Sequence, residues 1–120
     1  MARTQRLICR SEALAEGGKG VRFGLERSGT TASAFAVRYD GKVYAYLNSC
    51  AHIPVELDWS EGEFFDQTEL YLICSTHGAT YEADTGHCIS GPCKGARLTA
   101  LKVAERGGSV YLLESEKQNV

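Results

Sequence analysis

Two short segments of this 120-residue sequence each combine a cysteine with a histidine. The first Cys-His segment is Cys50-Ala51-His52, and the second is Cys74-Ser75-Thr76-His77. Thiolates bind iron–sulfur clusters, and in one subclass of [2Fe-2S] cluster two histidines replace two cysteines on one of the irons. Because each segment contains one residue of each kind, each can supply one ligand to each iron. The pattern therefore indicates a metal site that is clamped between two loops.

Zinc is the alternative metal for the same four side chains, since two cysteines and two histidines also make a tetrahedral zinc site. Structural zinc sites usually begin with two closely spaced cysteines, whereas here each segment pairs one cysteine with one histidine. A third alternative is a pair of inert core cysteines, but reactive Cys-His pairs in glycine-containing loops are not typical of those. We therefore expect an iron–sulfur cluster.

The residues around the two segments resemble the Rieske iron–sulfur family. The first segment continues to Leu57, and the second continues as Gly78-Ala79-Thr80-Tyr81 and then Thr85-Gly86. Gly91-Pro92 follows, where that family has a proline-bearing loop over its cluster. The resemblance implies a [2Fe-2S] cofactor whose ligands are shared between the two segments. Cys50 and Cys74 would bind one iron, and His52 and His77 would bind the other.

The same resemblance implies an all-β fold: a small antiparallel β-sandwich or barrel with a cluster-binding subdomain of two loops. One domain would span residues 1–120, with the cluster-binding part at about 45–95. Three departures from the family pattern stand out. Pro54 replaces a common glycine, and 21 residues separate His52 from Cys74. Val55 and Thr76 stand where the respiratory branch has a disulfide, which favours the ferredoxin-like branch in a reducing cytosol.

Alternating apolar residues predict the strands that position these segments. Residues 34–38 and 42–47 are joined by Asp40-Gly41, a strong hairpin signal. Residues 101–112 predict a second hairpin around Gly107-Gly108. Shorter strands are expected at 7–9, 21–25 and 70–74, and a helical turn at 11–16. Between the two Cys-His segments, Trp59, Phe64 and Phe65 are expected to form a small core of their own.

Charged residues are distributed unevenly along the chain. Thirteen Lys and Arg against 15 Asp and Glu give a net charge of −2, which argues against a nucleic-acid binder. Between Val43 and Cys93 there is no Lys or Arg, and we call this stretch the acidic segment. It carries eight acids: Glu56, Asp58, Glu61, Glu63, Asp66, Glu69, Glu82 and Asp84. A charged segment is often only a solvated face, but complementary charge also steers redox partners.

Five cysteines, an odd number, do not fit a fully paired secreted scaffold. No signal peptide and no membrane-spanning apolar run is visible, so we expect a cytoplasmic protein with no membrane partner. Cys9 is expected to pack in the core, and His87 to lie at the surface rather than bind metal. Cys88 and Cys93 are close enough for a disulfide, although reduced thiols are expected in the cytosol.

No set of residues for substrate chemistry is visible, so we expect an electron-transfer protein rather than an enzyme. Its partners would be a flavin reductase, a terminal oxygenase or both, docking through a basic face. Family members of high potential have a serine and a tyrosine where this chain has Ala79 and Tyr81, so one hydrogen-bond donor is replaced and the tyrosine is kept. The lost donor and the eight acids nearby predict a low-to-intermediate potential. The alternative is a non-catalytic accessory or regulatory subunit of a larger redox enzyme.

Overall fold

The computed structural model describes residues 3–27, 30–49, 56–58, 62–66, 68–74, 78–91 and 95–115. Strands dominate these residues, and the one helical element among them is a short 3-10 turn, Ser11–Ala13. No helix in this part of the chain is long and apolar enough to cross a membrane. The strands are β1 Arg3–Arg10, β2 Val21–Arg27, β3 Thr30–Tyr39, β4 Lys42–Leu47, β5 Tyr71–Ile73, β6 Thr80–Glu82, β7 Cys88–Ser90, β8 Ala100–Leu101, β9 Val103–Arg106 and β10 Ser109–Ser115.

The strands form three sheets, with the orders β1-β10-β9, β2-β3-β4-β8 and β5-β6-β7. Every strand pair is antiparallel, which confirms the expected all-β antiparallel fold. The expected cluster-binding region at 45–95 is more than two loops, because it contains the whole β5-β6-β7 sheet. Strands β6 and β7 were not predicted from the sequence.

Both predicted hairpins are present. Asp40 and Gly41 have φ values of 54° and 79°, the positive values that a tight two-residue turn requires, and Tyr39 pairs with Lys42 across it. Gly107 and Gly108 likewise join β9 to β10 with positive φ. The expected helical turn at 11–16 is shorter than predicted.

The β2-β3-β4-β8 sheet is the middle layer of the fold. Side chains alternate between the two faces of a strand, and both faces of β3 are covered. On one face, Phe35 and Tyr46 share a core with Leu72 of the β5-β6-β7 sheet. On the other face, Ala36 belongs to a second core with Val110 of β10. The middle sheet therefore carries the β5-β6-β7 sheet on one side and β10 on the other.

Two expectations about side chains have different outcomes. Cys9 is half-buried against the second core, as predicted. Phe64 stacks on Phe35 of β3, with ring centroids 3.9 Å apart and ring planes at 11°. The expectation that Phe64 belongs to a separate small core is therefore wrong, because the middle sheet offers a larger aromatic surface. Trp59 lies outside the described residues.

Candidate metal centre

Cys74 follows directly on β5 and has no exposed surface. Its backbone N–H donates to the Ala79 carbonyl at 2.8 Å, and its carbonyl accepts from the Gly78 N–H at 2.7 Å. Gly78 has a φ of 72°, which the tight turn requires. These bonds close the loop at 75–77, so the second Cys-His segment has a fixed stem. His77 itself lies outside the described residues.

The first Cys-His segment lies in residues 50–55, outside the described residues, but both of its stems are described. Leu57, on the far side, donates its backbone N–H to the Asn48 side-chain oxygen at 2.8 Å. Leu57 is fully buried in the same core cluster as Cys74 and Ala79. The stems of the two segments therefore meet at one core, which is the arrangement that a shared metal site needs.

Gly91 lies against the second segment. Its φ is 101°, and a Cβ there would lie 2.8 Å from the Ala79 Cα and 3.3 Å from the Gly78 carbonyl oxygen. No side chain fits into that contact, so a glycine is required. The position agrees with the expectation that a Gly-Pro loop borders the site; Pro92 lies outside the described residues.

The donor chemistry fits a [2Fe-2S] cluster. Cys74 lies among apolar neighbours that include Leu57 and Leu72, and a shielded thiolate next to a tight turn is a suitable iron ligand. Within the described residues, no group of three or more His, Cys, Asp or Glu side chains forms another metal site. The predicted ligands Cys50, His52 and His77 lie outside the described residues.

His87 and Cys88 follow the second Cys-His segment in the sequence, and neither is a predicted ligand. His87 is exposed, as expected for a surface histidine. The buried Cys88 thiol lies 3.3 Å from the Ser90 carbonyl oxygen and donates to it. Cys93, its proposed neighbour, lies outside the described residues.

Basic residues neutralise part of the acidic segment. Arg22 of β2 contacts the Glu56 carboxylate at 2.6 Å and lies 3.7 Å from that of Asp58. Lys19 lies 3.8 Å from Glu63. The acids that flank the first segment are therefore paired. Among the described residues, four acids of the segment have no salt bridge: Asp66, Glu69, Glu82 and Asp84.

Sequence reasoning did not find Arg22 or Asn48. Arg22 is separated from Glu56 by 34 residues, and no local pattern indicates their contact. Asn48 does carry a signal, since a polar side chain directly after an apolar strand often ties down the following turn.

Comparison with known proteins bears on the same region. The model of one protein family, the Rieske [2Fe-2S] domain, matches residues 4–106. No curated protein matches the sequence. Among solved structures, the ferredoxin of carbazole 1,9a-dioxygenase from Nocardioides aromaticivorans IC177 is similar, with a TM-score of 0.70 and 22% identity over 93% of this chain and 99% of that one.

Two further structures give the same fold. The ferredoxin of Sphingomonas yanoikuyae B1 has a TM-score of 0.70 and 18% identity, over 93% of this chain and 99% of that one. The terminal oxygenase of carbazole 1,9a-dioxygenase from Nocardioides aromaticivorans IC177 has a TM-score of 0.71 and 20% identity, over 97% of this chain but 31% of that one. At these identities the likeness shows the fold.

Proposed function

The chain belongs to the Rieske [2Fe-2S] domain family, and on this premise we propose that it carries single electrons between a reductase and a terminal oxygenase or another redox enzyme. The family binds a [2Fe-2S] cluster. The observation that carries the proposal is the fixed, buried Cys74 at a glycine turn whose stem shares a core with the stem of the first segment. The match to nearly the whole length of two ferredoxins supports it.

We propose that Cys50 and Cys74 bind one iron and that His52 and His77 bind the other. When bound, the cluster supplies a site that accepts and releases one electron. The chain's own residues hold it, shield it from water and set its potential. Over residues 1–120 the cluster-binding part is about 45–95, resting on the middle sheet. The protein itself would be no enzyme, and the cytoplasm is the proposed compartment because Val55 and Thr76 cannot form the inter-loop disulfide.

The surroundings of Cys74 favour a low-to-intermediate reduction potential. Hydrogen bonds to the cluster sulfurs raise the potential of such centres, and Ala79, which is fully buried beside Cys74, has no hydroxyl to donate one. The carboxylates of the acidic segment also oppose the addition of an electron. We expect a value in the lower half of the range of about −150 to +300 mV that Rieske centres span.

The partner surface proposed for docking is basic. The unpaired carboxylates of Glu82 and Asp84 lie toward the end of β6 away from Cys74, since Tyr71 pairs with Glu82 and Ile73 pairs with Thr80. They would therefore guide a basic partner over a distance, while Arg22 offsets one of the two negative charges of Glu56 and Asp58 beside the first segment.

The test is spectroscopic and electrochemical. The purified protein should contain iron and sulfide, absorb visible light and show the EPR signal of a reduced Rieske cluster. Protein-film voltammetry should give a potential in the lower half of the stated range, and a value near the top would refute the argument from Ala79. NAD(P)H with a flavin reductase should reduce the cluster. A cluster that this system cannot reduce would favour the accessory role, and a colourless zinc protein would refute the cofactor assignment.

A further inference from the structure

Asn48 and Asp58 are the buried polar side chains among the described residues, and they contact each other. The Asn48 Nδ2 donates to the Asp58 Oδ1 at 3.0 Å. Burying an amide and a carboxylate costs free energy unless each polar atom has a partner. We call these two side chains and their partners the Asn48–Asp58 network.

The remaining polar atoms of the network are also satisfied. Asn48 Oδ1 accepts from the Leu57 N–H at 2.8 Å, and Asp58 Oδ2 accepts from the Gly62 N–H at 3.0 Å. The same Oδ2 lies 3.7 Å from the Arg22 guanidinium, a counter-ion that Asp58 shares with Glu56, whose carboxylate lies 2.6 Å from Arg22. A fully satisfied buried network of this kind rigidifies the backbone it connects.

The network ties the two stems of one loop together. Asn48 stands two residues before Cys50, and Leu57 stands five residues after His52. The Asn48 backbone N–H also donates to the Ser33 carbonyl at 2.8 Å, which fixes the near stem to β3. The loop that carries the first Cys-His segment is therefore closed by hydrogen bonds of the protein itself. Closing a loop in advance removes conformational entropy that ligand binding would otherwise have to overcome.

We propose that Asn48 and Asp58 are positioning residues that hold the first Cys-His segment in its cluster-binding shape, with Arg22 as the counter-ion of Asp58. They act through Cys50 and His52, so the inference rests on the proposed ligand set. The hydrogen bonds on both stems hold the ends of this loop together.

The charges of the network provide a readout that a merely structural role would not move. Asp58→Asn removes one negative charge beside the first segment and should shift the reduction potential upward. Arg22→Gln removes one positive charge at the same place and should shift it downward. Asp58 is buried and Arg22 is partly buried, and such charges are screened by salt less than exposed ones, so both shifts should persist at high ionic strength. Loosening of the loop alone would not produce opposite shifts from two variants of one ion pair.

The experiment uses the cluster-loaded protein. Iron release to a strong chelator and the reduction potential are measured for Asn48→Ala, Asp58→Asn and Arg22→Gln. Release should be about tenfold faster in Asn48→Ala and Asp58→Asn, because a lost buried hydrogen bond corresponds to roughly that factor. Arg22→Lys keeps the positive charge and should therefore keep the wild-type reduction potential.

Two controls separate the loop from the rest of the molecule. Asp66→Asn removes a carboxylate of the same acidic segment that, within the described residues, accepts hydrogen bonds from Thr68 alone, and it should leave the release rate unchanged. Val110→Ala weakens the second core, and sets the release rate expected from global destabilisation alone.

The proposal would be overturned if the network variants released iron no faster than Val110→Ala does. It would also be overturned if the reduction potentials of Asp58→Asn and Arg22→Gln did not shift in opposite directions. The proposed function and the network are tested by different measurements. A wild-type cluster that no reductase reduces would contradict the proposed function, whereas the iron-release rates would still test the network. A cluster that survives both Cys50→Ser and His52→Ala would overturn the ligand set and this inference together.

Discussion

The hydroxyl of Tyr46 donates to the Ala83 carbonyl at 2.8 Å, which fastens β4 of the middle sheet to the turn between β6 and β7. Tyr46 is 2% exposed. Burial, with a smaller contribution from the charge of Asp84, raises the pKa of Tyr46 well above its ordinary value. The phenol therefore stays protonated and keeps its role as donor. This bond is a direct polar link between the middle sheet and the sheet that carries Cys74.

Replacing Tyr46 with phenylalanine should destabilise the protein by about 1–2 kcal/mol, because the buried Ala83 carbonyl loses its partner. Urea unfolding followed by circular dichroism measures the loss. Tyr44→Phe is the control, since Tyr44 is half-buried in the same strand and its hydroxyl makes no hydrogen bond within the described residues. Equal losses in the two variants would contradict the importance of the link.

Gly86 and Gly41 share a φ of 79° but differ in surroundings. A Cβ at Gly86 would lie 2.8 Å from the Tyr46 ring, whereas a Cβ at Gly41 meets nothing within 4 Å. Gly41→Ala should cost about 1–2 kcal/mol of backbone strain alone. Gly86→Ala adds the steric clash and should cost about 1–3 kcal/mol more. Denaturant midpoints compare the two, and a Gly86→Ala variant as stable as Gly41→Ala would show that the Tyr46 ring can move aside.

Acid should weaken the link between β3 and β9. Arg38 holds both carboxylate oxygens of Glu105, at 2.6 and 3.1 Å, and this pairing lowers the pKa of Glu105 to about 2. In the unfolded chain a glutamate has a pKa of about 4.3. The pair therefore contributes its full stability above about pH 4.3, and the contribution is lost as the pH falls from there to about 2.

The measurement for this pair is urea unfolding at about pH 6 and about pH 3, in the wild type and in Glu105→Gln. Other carboxylates titrate in both proteins, so the difference between them isolates Glu105. The variant should lose less stability than the wild type between the two pH values. A parallel loss in both proteins would contradict the lowered pKa.

Cys74→Ser should abolish the visible absorption of the cluster, because the proposed iron loses a thiolate ligand. Cys88→Ser is the matched control. A serine hydroxyl at that position can still donate to the Ser90 carbonyl, and the thiol of Cys88 has no assigned metal role. The control should keep its colour and its iron. If Cys88→Ser lost the cluster and Cys74→Ser kept it, the ligand assignment would be wrong.

Electron transfer to an oxygenase should slow as ionic strength rises, because salt screens the carboxylates of the acidic segment. Glu69→Gln removes an unpaired charge of that segment and should lower the second-order rate at low salt. Glu12→Gln makes the same change in net charge at an exposed site outside the segment. It should have the smaller effect, and stopped-flow mixing compares the two. A rate that is independent of salt would contradict steering by charge.

The sequence predicted those strands that have a clear alternation of apolar residues or a recognisable turn beside them. The Asp40-Gly41 turn and the alternation of Phe35 and Val37 are visible in a few consecutive residues, and both hairpins are present in the structure. Strands β6 and β7 are three residues each, too short for a period, and are ordered by pairing with β5 and by burial of Tyr81.

The candidate site divides in the same way. The two Cys-His segments follow from residue type and spacing, and Cys74 has the buried position expected of a ligand. The stacking of Phe64 on Phe35 and the ion pair of Arg22 with Asp58 join residues that are 29 and 36 positions apart, and the three-dimensional fold alone brings them together. Their absence from the sequence-based expectations is a consequence of that separation.

The middle sheet separates two sets of side chains that can vary independently. Phe35 and Tyr46 meet the cluster-binding side, while Ala36 meets β10 on the opposite side. A graft that moves residues 48–95, which include all four proposed ligands, onto another antiparallel sheet must therefore take the contact surface of Phe35 and Tyr46 with it, and can leave the β10 side unchanged. The cluster-binding part therefore contacts the rest of the protein through one face of the middle sheet, and that face is what a transplanted copy would need.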